Sequence, residues 1–121
     1  MAAPNIVDVN YIYAKTAGLA VTTSATAIVS NGASSGKVFK VNTLIISNIS
    51  ASSASVTVDV YKAQTTSYRI AYQISVPANS TLIVVGKGDN GVYLEESDSI
   101  RLVSATTSAL EAVCSYEEMS T

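Results

Sequence analysis

Residues 56–76 read VTVDVYKAQTTSYRIAYQISV, and their pattern decides the fold. Val56, Val58 and Val60 alternate with Thr57, Asp59 and Tyr61, the period of a half-buried strand. Tyr68, Ile70, Tyr72, Ile74 and Val76 form a second stripe on one parity. The run Ala63–Ser67 between them predicts a hairpin connection. On parity alone, the rings of Tyr68 and Tyr72 join Ile70 and Ile74 in filling a core, with hydroxyls that need partners at its edge.

The same rhythm extends in both directions. Ile6–Tyr13 alternates, with Val7, Val9, Tyr11 and Tyr13 on the apolar parity and therefore directed inward. Tyr11 and Tyr13 either cap the core, as parity favours, or anchor an interface. Leu19–Val29 is a longer β-branched run rich in Thr. Val38–Asn48 is apolar on both parities around Leu44-Ile45-Ile46, which predicts a central strand covered on both faces. Thr81–Val85, Val92–Leu94, Ile100–Val103 and Leu110–Tyr116 complete the strand set. Leu110–Val113 fits one helical turn in isolation, but the alternation Leu110, Ala112, Cys114, Tyr116 favours a strand.

Turn chemistry separates these runs. Ser30–Gly36 is a Gly/Ser loop, flexible by composition and a candidate to order on contact. Asn48–Ala54 is a Ser-rich turn, and Pro77–Asn79 ends a strand because Pro cannot donate to a ladder. Gly86–Gly91 is the strongest turn signal, since Asn90-Gly91 readily supplies positive φ. Glu96–Asp98 and Ala105–Ser108 are the last two. About eight or nine short strands without a helix predict an all-β fold, a single antiparallel β-sandwich or jelly roll. It spans residues 1–121 as one domain, with no repeat and with Met1–Asn10 as a candidate N-terminal arm.

A chain of 121 residues is large enough to bury one core without a disulfide or metal staple. Only 13% of residues are charged, about half the usual share, while Ser and Thr make up 30 of 121. Such a surface either solvates itself with hydroxyls or lies packed against neighbours. The net charge is −2, and the seven basic residues (Lys15, Lys37, Lys40, Lys62, Arg69, Lys87, Arg101) are scattered. Nucleic acid is therefore not an expected partner. No apolar run has membrane-spanning length, so no membrane partner is expected either. Met1–Asn10 lacks the regions of a signal peptide, and without a secretory route the glycosylation patterns at Asn48 and Asn79 carry little.

Catalytic chemistry is sparse. With no His, the common general base and every Ser-His or Cys-His arrangement are missing. Cys114, the lone cysteine, lies in a strand-like run and reads as a buried, unreactive thiol. Glu95, Glu96 and Asp98 are close in sequence but fall in a turn, where solvated carboxylates are ordinary. Gly32–Val38 resembles a phosphate loop until its spacing is counted, and Val38 stands where Ser or Thr is needed. Gly86–Gly91 lacks the ligand positions of a calcium loop. A sugar-binding module would favour exposed Trp, and there is none. No catalytic, cofactor-binding or metal-ligating residue is assigned, no cofactor is expected, and the chain is read as a non-enzyme.

Segment order adds a resemblance. Asn42–Ser50 (NTLIISNIS) precedes the Val56–Val60 strand, then come Val76–Leu82 (VPANSTL), Val92–Ile100 (VYLEESDSI) and Val113–Ser120 (VCSYEEMS). Over about residues 37–120 the chain resembles small virion structural proteins of tailed bacteriophages, especially phages of marine cyanobacteria. The resemblance implies a non-enzymatic sandwich on the phage particle, made in the host cytoplasm. In first place it implies a decoration or cement protein on the outer head surface, with the major capsid protein as partner and self-association as a homo-oligomer. A tail, neck or fibre component contacting tail proteins, or a host-surface-binding module, is the alternative.

Overall fold

The computed structural model describes residues 9–86 and 91–120. They form nine strands and no helix: β1 (Tyr11–Ala20), β2 (Thr26–Ser30), β3 (Lys37–Asn48), β4 (Ala54–Lys62), β5 (Thr66–Val76), β6 (Thr81–Val85), β7 (Val92–Leu94), β8 (Ser99–Ser104) and β9 (Leu110–Ser120). The predicted arm over Met1–Asn10, the strand start at Ile6 and the Asn90 turn lie wholly or largely outside the described residues. Leu19–Val29 is not one strand. It breaks at Val21–Ala25, where Thr22 and Thr26 hydroxyls both donate to the Ser24 carbonyl and close a polar turn.

Two antiparallel sheets face each other. One has the order β1-β9-β3-β6, with β7 also on β3, and the other β2-β8-β4-β5. The pairs β1·β9, β2·β8, β3·β6 and β4·β5 are nested, as in one long hairpin. Contacts β9·β3 and β8·β4 roll that hairpin into a sandwich. This wiring is a jelly roll. β6 and β7 lie end to end along one edge of β3, β7 against Phe39–Val41 and β6 against Leu44–Ser47.

The core is built from inward parities of both sheets, including Val41, Leu44, Ile46, Val56, Val58, Leu94, Ile100, Leu102, Leu110 and Cys114. In β3 the inward parity changes partway. Val41 pairs with Tyr116 and Thr43 with Ser115, so Asn42 is an extra residue in the ladder. Phe39 and Val41 face inward before this bulge, Leu44 and Ile46 after it. The double parity of Val38–Asn48 therefore records a bulge, not coverage on both faces, and Ile45 and Ser47 remain partly exposed on the outer side.

Polar side chains tie the loops down. Asn31, fully buried, donates to the Lys37 and Leu94 carbonyls at 2.9 and 3.0 Å and accepts from the Ser35 hydroxyl at 2.5 Å. Gly36 N donates to Glu96 Oε2 at 2.8 Å. The loop predicted flexible from its Gly and Ser content is thus cross-linked to the β7–β8 turn. Asn48 plays the same part at the β3–β4 turn, donating to Ser52 O and Val76 O. Its amide nitrogen is consumed, so Asn48 is a structural pin.

Candidate functional site

The Tyr68–Ile74 stripe and the Tyr11 and Tyr13 pair expected in the core are on the surface, as is Ile12, which falls on the outward parity. Tyr68, Ile70, Tyr72 and Ile74 are 62%, 41%, 57% and 40% exposed, and Tyr11, Ile12 and Tyr13 are 54%, 61% and 52% exposed. Parity placed several of them on the correct face. Tyr68 pairs with Val60, Ile74 with Val56, and Tyr13 with Glu118, which pairs in turn with buried Phe39. Coverage fails because β1 and β5 are outermost strands of their sheets. Ten-residue β1 runs beside five-residue β2, and β5 overhangs the facing sheet. Only Ala71 and Val76 of β5 reach the core.

These edges differ in form. β1 pairs with β9 over all ten residues without a shift, so its free side is regular, and it carries no Pro or bulge to blunt it. Tyr11 and Tyr13 stack there with ring centroids 6.1 Å apart. β5 carries two irregularities against β4, and Gln73 sits at φ 49° with its N–H donating to Thr57 Oγ1. Between β5 and the β6–β7 edge runs an open apolar groove of about 330 Å³, lined by Ile70, Ile83, Val84, Val85 and Val92. A second open groove of about 460 Å³ lies at one end of the sandwich over Val21, Ile49 and Leu110, with Glu111 its lone carboxylate.

Several carboxylates are engaged in fastening. Asp98, 2% exposed, accepts from Lys62 Nζ at 2.7 Å, Ala63 N at 2.9 Å and Glu95 N at 3.0 Å. This clasps the β4–β5 hairpin turn to the β7–β8 turn. Burial pushes the Asp98 pKa up, but the Lys62, Ala63 and Glu95 donors outweigh it and hold it below the ordinary carboxylate value. The hydrogen bond to Asp98 raises Lys62 despite desolvation. Arg101 makes a two-pronged contact with Asp59 at 3.0 and 2.9 Å, donates to Ser67 Oγ and stacks 3.8 Å over the Tyr61 ring. Glu118 accepts from both Lys15 and Lys37 at 3.3 Å.

Glu95, Glu96 and Asp98 do not behave as the solvated turn expected. Glu95 is exposed, but Asp98 is the buried clasp. Glu96 reaches Gly36 through one oxygen and leaves Oε1 buried without a protein partner. Among the described residues, no three metal-ligating side chains converge. Cys114 is buried as expected, and burial pushes its thiol up to about 11. Sequence reasoning missed the Asp98 clasp and the Asp59–Arg101 pair, whose partners meet only through strand register.

The sheet order and the nested pairing define a jelly roll, an architecture shared by viral capsid domains, lectins and cupins. Among solved structures, the chain is similar to a protein of Bacillus endospore appendages, described as forming a novel family of disulfide-linked pili. The TM-score is 0.52 at 10% identity, covering 91% of this chain and 87% of that one. At that identity the likeness is one of fold. No protein-family model and no curated protein matches the chain.

Proposed function

We propose that the chain is a non-enzymatic assembly subunit of a phage particle, in first place a decoration protein on the outer head surface. The observation that carries the reading is the set of eleven large apolar side chains left exposed among the described residues, seven of them on β1 and β5. Clusters of exposed apolar side chains on two outermost strands support a contact role for those edges. A clamp of this kind joins neighbouring major capsid protein subunits and stabilises the shell by burying area at their junctions. The phage-like segments over about residues 37–120 support the particle, and the jelly roll is compatible with it without specifying it.

Reconstitution tests the reading. Purified protein added to phage heads that lack it should bind and appear by cryo-electron microscopy as ordered density over the capsid lattice. Density confined to the tail would overturn the head assignment, and failure to bind any part of the particle would overturn the virion reading itself.

A second reading, a tail, fibre or surface-filament subunit, is favoured by the likeness to the endospore appendage protein. The linkage would have to differ from that protein's disulfides, because Cys114 is the chain's sole cysteine and is buried. Fibres of purified protein in negative stain, with no affinity for heads, would favour this reading over the first.

A further inference from the structure

We infer that the two apolar edges are complementary halves of one head-to-tail interface, with the β1 edge of one copy docking against the β5–β6 edge of a second copy. The inference rests on the assembly reading above and assigns its self-contact.

The two edges lie on opposite sides of the sandwich, β1 at one end of its sheet and β6 at the other, with β5 beside β6. Their shapes are unlike. The β1 edge presents Tyr11 and Tyr13 projecting on one face and Ile12 on the other, along a regular free strand. The β5–β6 edge presents the groove of about 330 Å³ between Ile70 and Ile83, a size that admits one of those side chains. From the exposed fractions, the β1 triplet offers about 350 Å² of side-chain surface and the set Tyr68, Ile70, Tyr72, Ile74 and Ile83 about 500 Å². Burying both covers at most about 850 Å², below the ~1,200 Å² of standard interfaces, so a single contact belongs to the smaller, weaker class and gains strength by repetition.

Charge points the same way. Arg69 on β5 contacts the Tyr72 ring at 5.1 Å and lies opposite Asp59, whose carboxylate is taken by Arg101, so Arg69 itself forms no ion pair within 4 Å among the described residues. Glu117, between Ala14 of β1 and Lys40 of β3 in the ladder, forms no ion pair within 4 Å among them. Symmetric pairing is disfavoured on both edges. Antiparallel β1 against β1 sets Lys15, near the middle of the strand, beside its own copy. β5 against β5 would have to pair across a strand already broken by two irregularities. Either symmetric contact also leaves the other apolar edge in water. A head-to-tail contact covers both, and it repeats, closing into a ring or continuing as a filament.

Mixing of half-blocked proteins tests this. One variant carries Ile12→Ser and Tyr13→Ser, the other Ile70→Ser and Ile83→Ser, all at exposed positions. Circular dichroism verifies the fold, and Tyr13→Lys or Ile70→Lys replaces any double variant that loses it. In sedimentation, wild type should form species larger than a dimer. Each variant alone should be monomeric, with self-affinity weakened about 100-fold. Mixed in equal amounts, the two should form a 1:1 dimer and nothing larger, since each retains one intact half. A variant that still dimerises alone overturns the head-to-tail arrangement, as does a mixture that stays monomeric. Wild type that is monomeric at high concentration yet still binds heads overturns this inference and leaves the decoration reading standing. Assembly without particle binding does the reverse.

Discussion

Replacing Asp98 with Ala should cost more stability than any other single charge removal in the molecule. Its carboxylate accepts from Lys62 Nζ, Ala63 N and Glu95 N, at 2.7–3.0 Å. Lys62 is 40% exposed and rehydrates when its partner goes, so the ion pair itself adds little. The two backbone donors sit in part-buried bonds, and each N–H left without a partner costs about 1–3 kcal/mol. The expected loss is about 3 kcal/mol, or a fall of ~12 °C in Tm for a domain of this size. Urea unfolding followed by circular dichroism measures it at pH 7. The pH dependence provides a second arm. A carboxyl whose folded pKa is depressed contributes stability that is present above its unfolded pKa of about 4 and lost as pH falls through the folded value. Wild type should therefore lose stability below about pH 4 that Asp98→Ala has already forfeited, and the two curves should converge in acid. A loss under about 1 kcal/mol at pH 7, or a gap that stays constant down to pH 2, refutes the clasp.

Three further outcomes follow from the fold. Ala63 and Gln64 hold φ of 53° and 55° in the β4–β5 turn, where Gly is easier, so Gln64→Gly should stabilise by about 0.5–1 kcal/mol in thermal unfolding. Cys114, with its thiol pushed up to about 11, should resist a thiol reagent at pH 8 in the native protein and react fully in denaturant. Leu44→Ala, at a fully buried site on β3, should cost about 2–5 kcal/mol, whereas Ile12→Ser, on the exposed β1 edge, should change monomer stability by less than about 1 kcal/mol in the same urea assay.

Alternation carried most of the fold into view. Eight of the nine strands fall on runs visible as apolar alternation or β-branched stretches, whereas β1 only overlaps the ends of the Ile6–Tyr13 and Leu19–Val29 runs and its Ala14–Gly18 stretch carries no such pattern; the hairpin at Ala63–Ser67 joins the strands it was expected to join. Parity also named the correct face for Tyr13, Tyr68 and Ile74. What it does not encode is whether anything lies opposite that face. Coverage depends on the relative lengths of the strands that come to face one another, such as ten-residue β1 beside five-residue β2. The bulge at Asn42 was equally hidden, because an extra residue and a two-sided strand leave the same apolar trace. Asp98 looked like any turn carboxylate. Its reach to Lys62 and Ala63, some 36 residues away, exists only once both sheets have formed.

The position of β9 also governs how the molecule comes into being. It is the last of the nine strands to be synthesised, yet it inserts between β1 and β3. During synthesis β1 therefore waits without its ladder partner while about 90 residues are added, on the order of 5–20 s at ordinary translation rates. Through that interval the first sheet lacks its middle, and the Tyr11–Tyr13 segment faces solvent on a strand that nothing yet holds. Long-range pairing of this kind makes folding slow. The final eleven-residue strand acts as a zip: its arrival closes both sides of the sheet in one event, and a nascent chain stalled before Leu110 has no route to the native sandwich.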